Sequence, residues 1–110
     1  DVSLSDNMRI SFSEDLTELK SGTTINFVVT NEGEISHEFS IGNQAEQKAH
    51  AKMMRQMPGM VHNDGNTVTL APGETKRLAW HFVGDDQVVF SCNIPGHFEA
   101  GMFRIASLKL

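Results

Sequence analysis

The sequence has little of what would place it in several broad classes of protein. It contains a single cysteine, which excludes an internal disulfide. No apolar run approaches the roughly 18 residues that a membrane-spanning helix needs, so we expect no membrane insertion. Lys and Arg number 9 against 14 Asp and Glu, for a formal charge of −5. Because phosphate binding needs basic clusters and none is present, this balance argues against nucleic acid as a partner.

What is present is the composition of an ordinary globular protein. Of the 110 residues, 39% are hydrophobic and 21% are charged. This length predicts one domain, residues 1–110, with a core that needs no disulfides. The first residues are polar, without a basic segment followed by an apolar one. If the protein is exported, its signal peptide is therefore absent from this chain.

Short strands separated by turns account for most of the pattern. Apolar and polar residues alternate over 8–12 and 78–83, and β-branched residues fill 24–30. Further strands are predicted at 37–41, 67–70, 88–90 and 102–108. Strands at this spacing favour an all-β antiparallel sandwich or barrel.

One segment departs from this pattern. Residues 43–57 are rich in Ala, Glu, Gln, Lys and Met and poor in β-branched residues, which favours a short helix. Pro58 and Gly59 would end it. No repeat, low-complexity tract or linker divides the chain.

The single cysteine belongs to the most informative pattern, Cys-x4-His-x4-Met, formed by Cys92, His97 and Met102. Each residue alone has an ordinary structural interpretation, as a buried apolar group or a polar loop residue. Together, a thiolate, an imidazole and a thioether are the ligands that copper prefers when it exchanges one electron. A trigonal site needs a second imidazole, and His37 is the best candidate.

The alternatives for that second imidazole are His50, His62 and His81. His81 is expected to be structural, in a strand beside Trp80. The other two belong to the predicted helix and the loop after it. A dinuclear copper site of the kind that uses two cysteines is excluded, and an axial thioether is unusual for zinc.

The chain resembles the cupredoxins, the family of small blue-copper proteins. The resemblance lies in the segments KSGTTINFVVTNEG, SHEFSIGN, LAPGETKRLAWHF and FSCNIPGHFEAGMF. It implies a Greek-key β-sandwich of about seven to eight strands, with one short helix inserted around residues 43–57. The two four-residue gaps of the ligand loop are most similar to those of rusticyanin and auracyanin. The whole chain also resembles periplasmic copper-tolerance cupredoxins of bacteria.

The resemblance implies a ligand set for one type 1 copper ion. His37, Cys92 and His97 correspond to the equatorial ligands and Met102 to the axial one. The sequence departs from the family at Glu38, where many relatives have an Asn that ties the two ligand segments together. The backbone N–H of Glu38 can still donate to the Cys92 sulfur, whereas the resemblance does not extend to the side-chain tie.

A second group of soft ligands lies in and after the predicted helix. Thioethers and imidazoles suit Cu(I), although a methionine stripe at helical spacing more often packs a core or forms an adaptable surface. The possible second Cu(I) site consists of His50, Met53, Met54, Met57, Met60 and His62.

These features favour a one-electron carrier with a type 1 copper centre, and the resemblance to copper-tolerance proteins suggests a role in periplasmic copper resistance. The alternative is a copper-tolerance protein that sequesters or oxidises Cu(I) at the second site. The expected partner is a redox protein, such as a cytochrome or a copper oxidase, that docks near His97 and Phe98. The protein is predicted to be periplasmic and monomeric. It is not expected to be an enzyme, because five histidines cannot supply the further copper centres of copper enzymes.

Overall fold

Nine strands and one helix make up most of the described chain. The computed structural model describes residues 1–56, 66–83 and 87–109. In chain order the elements are β1 (Val2–Ser5), β2 (Arg9–Phe12), β3 (Glu18–Lys20), β4 (Thr24–Asn31), β5 (His37–Gly42), α1 (Gln44–Gln56), β6 (Thr67–Leu70), β7 (Thr75–His81), β8 (Gln87–Ser91) and β9 (Phe103–Lys109). In this described part no helix is long and apolar enough to cross a membrane.

The strands form two sheets that face each other. The first has the order β2-β1-β4-β7 and the second the order β3-β9-β8-β5-β6. This confirms the predicted all-β sandwich with one inserted helix. Both sheets are mixed rather than antiparallel, because β1 runs parallel to β4 and β3 runs parallel to β9. Each parallel pair joins segments far apart in the sequence, so local patterns do not reveal it.

Phenylalanines fill the space between the sheets. Phe27 of the first sheet lies 5.4 Å from Phe39 and 5.8 Å from Phe90 of the second, measured between ring centroids. Phe39 and Phe90 stack at 5.8 Å, and Phe12 meets Phe90 edge-on at 5.1 Å. Such ring contacts add to the burial of apolar area and fix the two sheets at the end of β5 and β8 that carries the site.

Helix α1 covers the outer face of β5. Asn43 caps it, because Asn43 Oδ1 accepts from the N–H of Glu46 and Glu46 Oε1 accepts from the N–H of Asn43. The buried side chains of the helix are Gln47 and Met54. Because β5 is covered on both faces, its residues from His37 to Ile41 are all buried, including the polar Glu38 and Ser40.

The helix was predicted over 43–57 and spans Gln44–Gln56. Its predicted end at Pro58 and Gly59 lies outside the described residues. The predicted strands are present, but β1 and β3 were not predicted. They have only four and three residues and are recruited by their partner strands more than by their own pattern.

Candidate metal centre

Three of the predicted ligands meet at one end of the second sheet. One donor atom each from His37, Cys92 and His97 lies within 4.8 Å of the other two. Cys92 and His37 are fully buried, and His97 is 9% exposed. Metal–nitrogen and metal–sulfur bonds are about 2.0–2.3 Å long, so donors this close together can share one ion after a small approach of the side chains.

Strand pairing brings the distant ligand to the loop. β5 and β8 are antiparallel neighbours with Ser40 opposite Ser91. In this register the first residue of β5, His37, lies at the same end of the sheet as Cys92, which directly follows β8. A shift of one residue would turn His37 to the opposite face, because side chains alternate along a strand.

The loop of residues 92–102 is held by its own backbone. The N–H of Cys92 donates to Met102 O at 3.1 Å, and the N–H of Met102 donates to His97 O at 3.1 Å. Gly96 and Gly101 have φ of 89° and 98°, in the left-handed region that other residues adopt only with strain. The residues that define the sequence motif therefore also form the hydrogen bonds and turns that shape the loop.

Met102 is buried and bonded through its backbone to two of the ligand residues, Cys92 and His97. These bonds place its backbone beside two of the three ligand candidates. Its role as axial ligand remains a prediction, since a long thioether contact is a property of the copper-loaded site.

The ring of His37 is fixed from outside the site. Its Nε2 lies 2.9 Å from Oδ1 of Asp6, while its Nδ1 is buried and has no hydrogen-bond partner among the described residues. The N–H of Glu34, and then the His37 ring, hold the pKa of the Asp6 carboxyl below its usual range. A buried ring nitrogen without a partner needs one, and a metal ion would supply it.

The sulfur of Cys92 accepts a hydrogen bond from the backbone. The N–H of Glu38 donates to Sγ at 3.2 Å, as expected from the resemblance, and His97 Nδ1 lies 3.3 Å from the same atom. Burial raises the pKa of the Cys92 thiol to about 12. Without a metal the residue is therefore a thiol at neutral pH, and a metal ion must displace its proton.

The side chain of Glu38 links the two ligand segments, a point that the departure from the family pattern at this position left open. Its Oε1 accepts from the N–H of Asn93 at 3.4 Å, across the β5–β8 boundary. The same oxygen lies 3.3 Å from Nε2 of His50 on helix α1. The Glu38 side chain therefore contacts both the neighbouring ligand segment and the helix.

His97 is the ligand candidate nearest to the surface. Its ring lies 5.0 Å from the His37 ring between centroids. Burial, and then the neighbouring His37, lower the pKa of His97. The ring is therefore a neutral, metal-ready donor at neutral pH. Phe98 beside it stacks on Phe103 at 4.9 Å.

The other two described histidines, His50 and His81, lie away from the three donors. His81 Nδ1 is 2.7 Å from the hydroxyl of Thr24, in the structural role that was predicted. His50 contacts Glu38 and Met54 is fully buried, while Met53 is partly buried. Met57, Met60 and His62 lie outside the described residues. The second Cu(I) site therefore stays a prediction, and the described part of the cluster packs against the sandwich.

Two residues of the site escaped the sequence analysis. Asp6 has only the signal of a polar turn, Ser-Asp-Asn, and lies 31 residues from His37. Gln47 is a buried polar residue of α1 that accepts from Asn93 Nδ2 at 2.7 Å and donates to Val89 O at 2.7 Å. In the sequence, the only indication that Gln47 is buried was its helical spacing from His50 and Met54, which places the three on one face.

Comparisons with known proteins point to copper. The chain is 53% identical over 107 residues to the copper-resistant cuproprotein CopI of Vibrio cholerae, covering 97% of this chain and 63% of that protein. It is 45% identical over 101 residues to the protein of the same name from Rubrivivax gelatinosus, covering 92% and 60%. The chain thus spans less than two thirds of the length of these curated relatives.

Structural similarity agrees with the sequence similarity. Auracyanin from Roseiflexus castenholzii superimposes with a TM-score of 0.72 at 19% identity, covering 99% of this chain and 94% of that one. At this identity the similarity shows the fold. No protein-family model matches the chain.

Proposed function

The chain is a cupredoxin that binds copper, and on this premise we propose that it is a type 1 copper protein that transfers single electrons in bacterial copper tolerance. The observation that carries the proposal is the meeting of His37, Cys92 and His97 donors within 4.8 Å in a buried site. The names of the relatives, copper-resistant cuproproteins, support the link to tolerance.

The donor set suits this chemistry. Bound copper supplies a one-electron couple, and a thiolate, two imidazoles and a weak thioether stabilise both of its oxidation states. The protein contributes a rigid frame. Cys92 and His37 are held in the interior by hydrogen bonds, so little has to rearrange between the two states. We assign His37, Cys92 and His97 as equatorial ligands and Met102 as the axial ligand.

The visible spectrum of the Cu(II) protein tests the assignment. We expect intense thiolate-to-copper bands in the wild-type protein and their complete loss in Cys92→Ala. A His81→Ala variant serves as the control, because His81 contacts Thr24 away from the donors. Absence of intense bands in the wild-type protein, or their survival without Cys92, contradicts the type 1 site.

We further propose that electrons leave through His97 to a redox partner, such as a cytochrome or a copper oxidase. His97 is 9% exposed and borders Phe98, which stacks on the 37% exposed Phe103. These rings form a small apolar surface beside His97 on which a partner can dock.

Phe98→Glu tests this surface. We expect slower electron exchange and a nearly unchanged copper spectrum. Val83→Glu is a matched control, because Val83 is 68% exposed and lies by a cleft with Gly42, at the other end of β5 from His37. Equal slowing in both variants would indicate a general charge effect, and a lost spectrum in Phe98→Glu would assign that residue to the site itself.

The second candidate function is sequestration or oxidation of Cu(I) at the Met- and His-rich segment. The names of the relatives favour it, while the inward packing of His50 and Met54 does not. Cu(I) titration of Cys92→Ala separates the two functions. Useful affinity in that variant would support a second site, and its absence leaves the cluster a packing role.

The proposed setting is the periplasm, where such a protein meets excess copper, and the proposed role is that of a carrier rather than an enzyme. Growth of a deletion strain tests this setting. We expect a defect in excess copper with normal respiratory growth. The opposite result would favour an electron carrier of respiration.

A further inference from the structure

An acidic turn in the first sheet reaches the His37 ring. Asp6 lies between β1 and β2, in a turn closed by the N–H of Met8 donating to Ser5 O at 3.1 Å. Met8 has φ of 62°, which bends the chain sharply. The turn directs the Asp6 carboxylate toward the other sheet, where Oδ1 lies 2.9 Å from His37 Nε2.

Both carboxylate oxygens of Asp6 have fixed partners. While Oδ1 contacts the ring, Oδ2 accepts from the backbone N–H of Glu34 at 2.7 Å. Gly33 leaves the necessary room, because a Cβ at that position would overlap Asp6 Oδ1. Its own N–H donates to Asn31 Oδ1, which fixes this stretch of backbone. The carboxylate is thus held between a backbone donor and the ring.

This contact decides which nitrogen of His37 faces the donors. A carboxylate accepts, so Nε2 must carry the hydrogen and donate it to Asp6. The remaining nitrogen, Nδ1, is buried without a partner among the described residues and is free to bind a metal as a neutral donor. Metal-binding histidines commonly use a carboxylate in this way.

We propose that Asp6 is a positioning residue of the copper centre, which fixes the tautomer and orientation of His37 and favours Cu(II) over Cu(I). The preference for Cu(II) follows from electrostatics. An anion on the far side of the imidazole stabilises Cu(II) more than Cu(I), because Cu(II) carries one more positive charge. The inference rests on the proposed copper function, whereas the tautomer can be measured without copper.

The tautomer is measured first, by ¹⁵N–¹H NMR of the histidine rings of the metal-free protein at mildly alkaline pH. We expect His37 to carry its hydrogen on Nε2, with slow exchange against solvent. In Asp6→Ala that hydrogen should exchange faster and the tautomers should mix. A His37 hydrogen on Nδ1, or an Nε2–H that is equally protected in Asp6→Ala, overturns the proposal whether or not copper binds.

Copper affinity and reduction potential are measured next. Loss of such a carboxylate partner costs about 10–100-fold in metal affinity, so we expect a loss of this size for Cu(II) in Asp6→Ala. The loss for Cu(I) should be smaller. Each tenfold difference between the two losses raises the potential by about 59 mV. Asp6→Asn, which keeps a neutral acceptor, should fall between wild type and Asp6→Ala.

Glu34→Gln is the matched control. It removes the same charge next to Asp6, yet keeps the backbone N–H that Asp6 accepts. We expect its copper affinities and potential to stay near those of the wild type. Equal changes of affinity and potential in Glu34→Gln and Asp6→Asn would show that only the net charge near the site matters. That result would overturn the positioning role.

Gly33→Ala supplies a second variant without any change of charge. The added methyl displaces the Asp6 carboxylate, so Cu(II) affinity should fall and the Nε2–H should exchange faster, as in Asp6→Ala. If Asp6→Ala fails to fold, Gly33→Ala and Asp6→Asn still decide the matter. Wild-type failure to bind copper contradicts the proposed function, whereas wild-type binding with unchanged Asp6 and Gly33 variants contradicts only this inference.

Discussion

The two sides of the metal centre are built in different ways. The loop of residues 92–102 carries Cys92, His97 and Met102 and is bonded mainly to itself, through backbone hydrogen bonds such as Met102 N–H to His97 O. On the other side, His37 depends on Asp6, and the segment around it depends on Glu38 contacts with Asn93 and the helix. These partners lie up to 55 residues away in sequence.

The difference separates what short-range and long-range interactions contribute to one site. The loop can form its turn from its own residues, with glycines at the positions of positive φ. The His37 side forms only when β1, β5, β8 and α1 have all taken their places. Substitutions in the loop should therefore act locally, whereas substitutions around His37 should disturb contacts between distant elements.

The largest effect is expected at Glu38. Glu38→Ala removes the buried carboxylate that contacts both the N–H of Asn93 and the ring of His50. A buried polar group that loses its acceptor costs about 1–3 kcal/mol, and here two contacts are lost together. Urea unfolding of the metal-free protein measures the loss. The exposed Glu34→Ala is the control, and a loss below 1 kcal/mol in Glu38→Ala would mean that the long-range tie contributes little.

The next effect concerns the thiol of the loop and depends on pH. Burial raises the pKa of Cys92 from the ordinary 9.0 to about 12. The buried thiol thus contributes stability that is fully present below pH 9 and is lost as the pH rises toward 12. The loss is about 1.4 kcal/mol per pH unit.

Unfolding of the metal-free wild-type protein and of Cys92→Ala across this range isolates the effect. The free energy of unfolding of the wild type should fall relative to that of the variant above pH 9. Parallel curves for the two proteins would show that ionisation of the thiol is not opposed by the fold.

A smaller effect separates local strain from damage to the site. Gly101 and Gly22 have similar φ values, 98° and 93°, and an added Cβ would meet no atom within 4 Å at either position. Alanine at each should cost about 1–2 kcal/mol through backbone strain alone. Only Gly101→Ala should also alter the copper spectrum, since Gly101 lies in the ligand loop. A spectral change in Gly22→Ala would contradict a self-contained loop.

The smallest effect tests how far the helix supports the His37 side. Asn43→Ala removes the cap of α1, which contributes about 1 kcal/mol. We expect this loss of stability by urea unfolding and an unchanged copper spectrum, because His50 and Gln47 keep the helix docked. A changed spectrum would show that the site responds to the N-terminal end of the helix.

Much of the fold followed from the sequence, because its signals are local. Alternation identified β2 and β7, β-branched residues identified β4, and composition identified the helix to within a residue at its start. The short β1 and β3 were missed, since four and three residues carry too little pattern. Their parallel pairing with β4 and β9 is a property of the assembled sheets.

The sequence by itself determined the loop side of the site. Cysteine, histidine and methionine at fixed spacing, with glycines between them, specify both the candidate ligands and a turn that presents them. Histidine 37 could be ranked above its competitors by resemblance, but its place depends on the register of β5 against β8.

The tertiary structure alone decided how the other side is held. It placed Asp6 behind His37 and turned Glu38 toward Asn93 and His50. The physical reason is that these contacts join segments that approach one another only after two sheets and a helix have packed. A hydrogen bond between residues 31 or 55 positions apart produces no periodic pattern in the sequence from which it could be predicted.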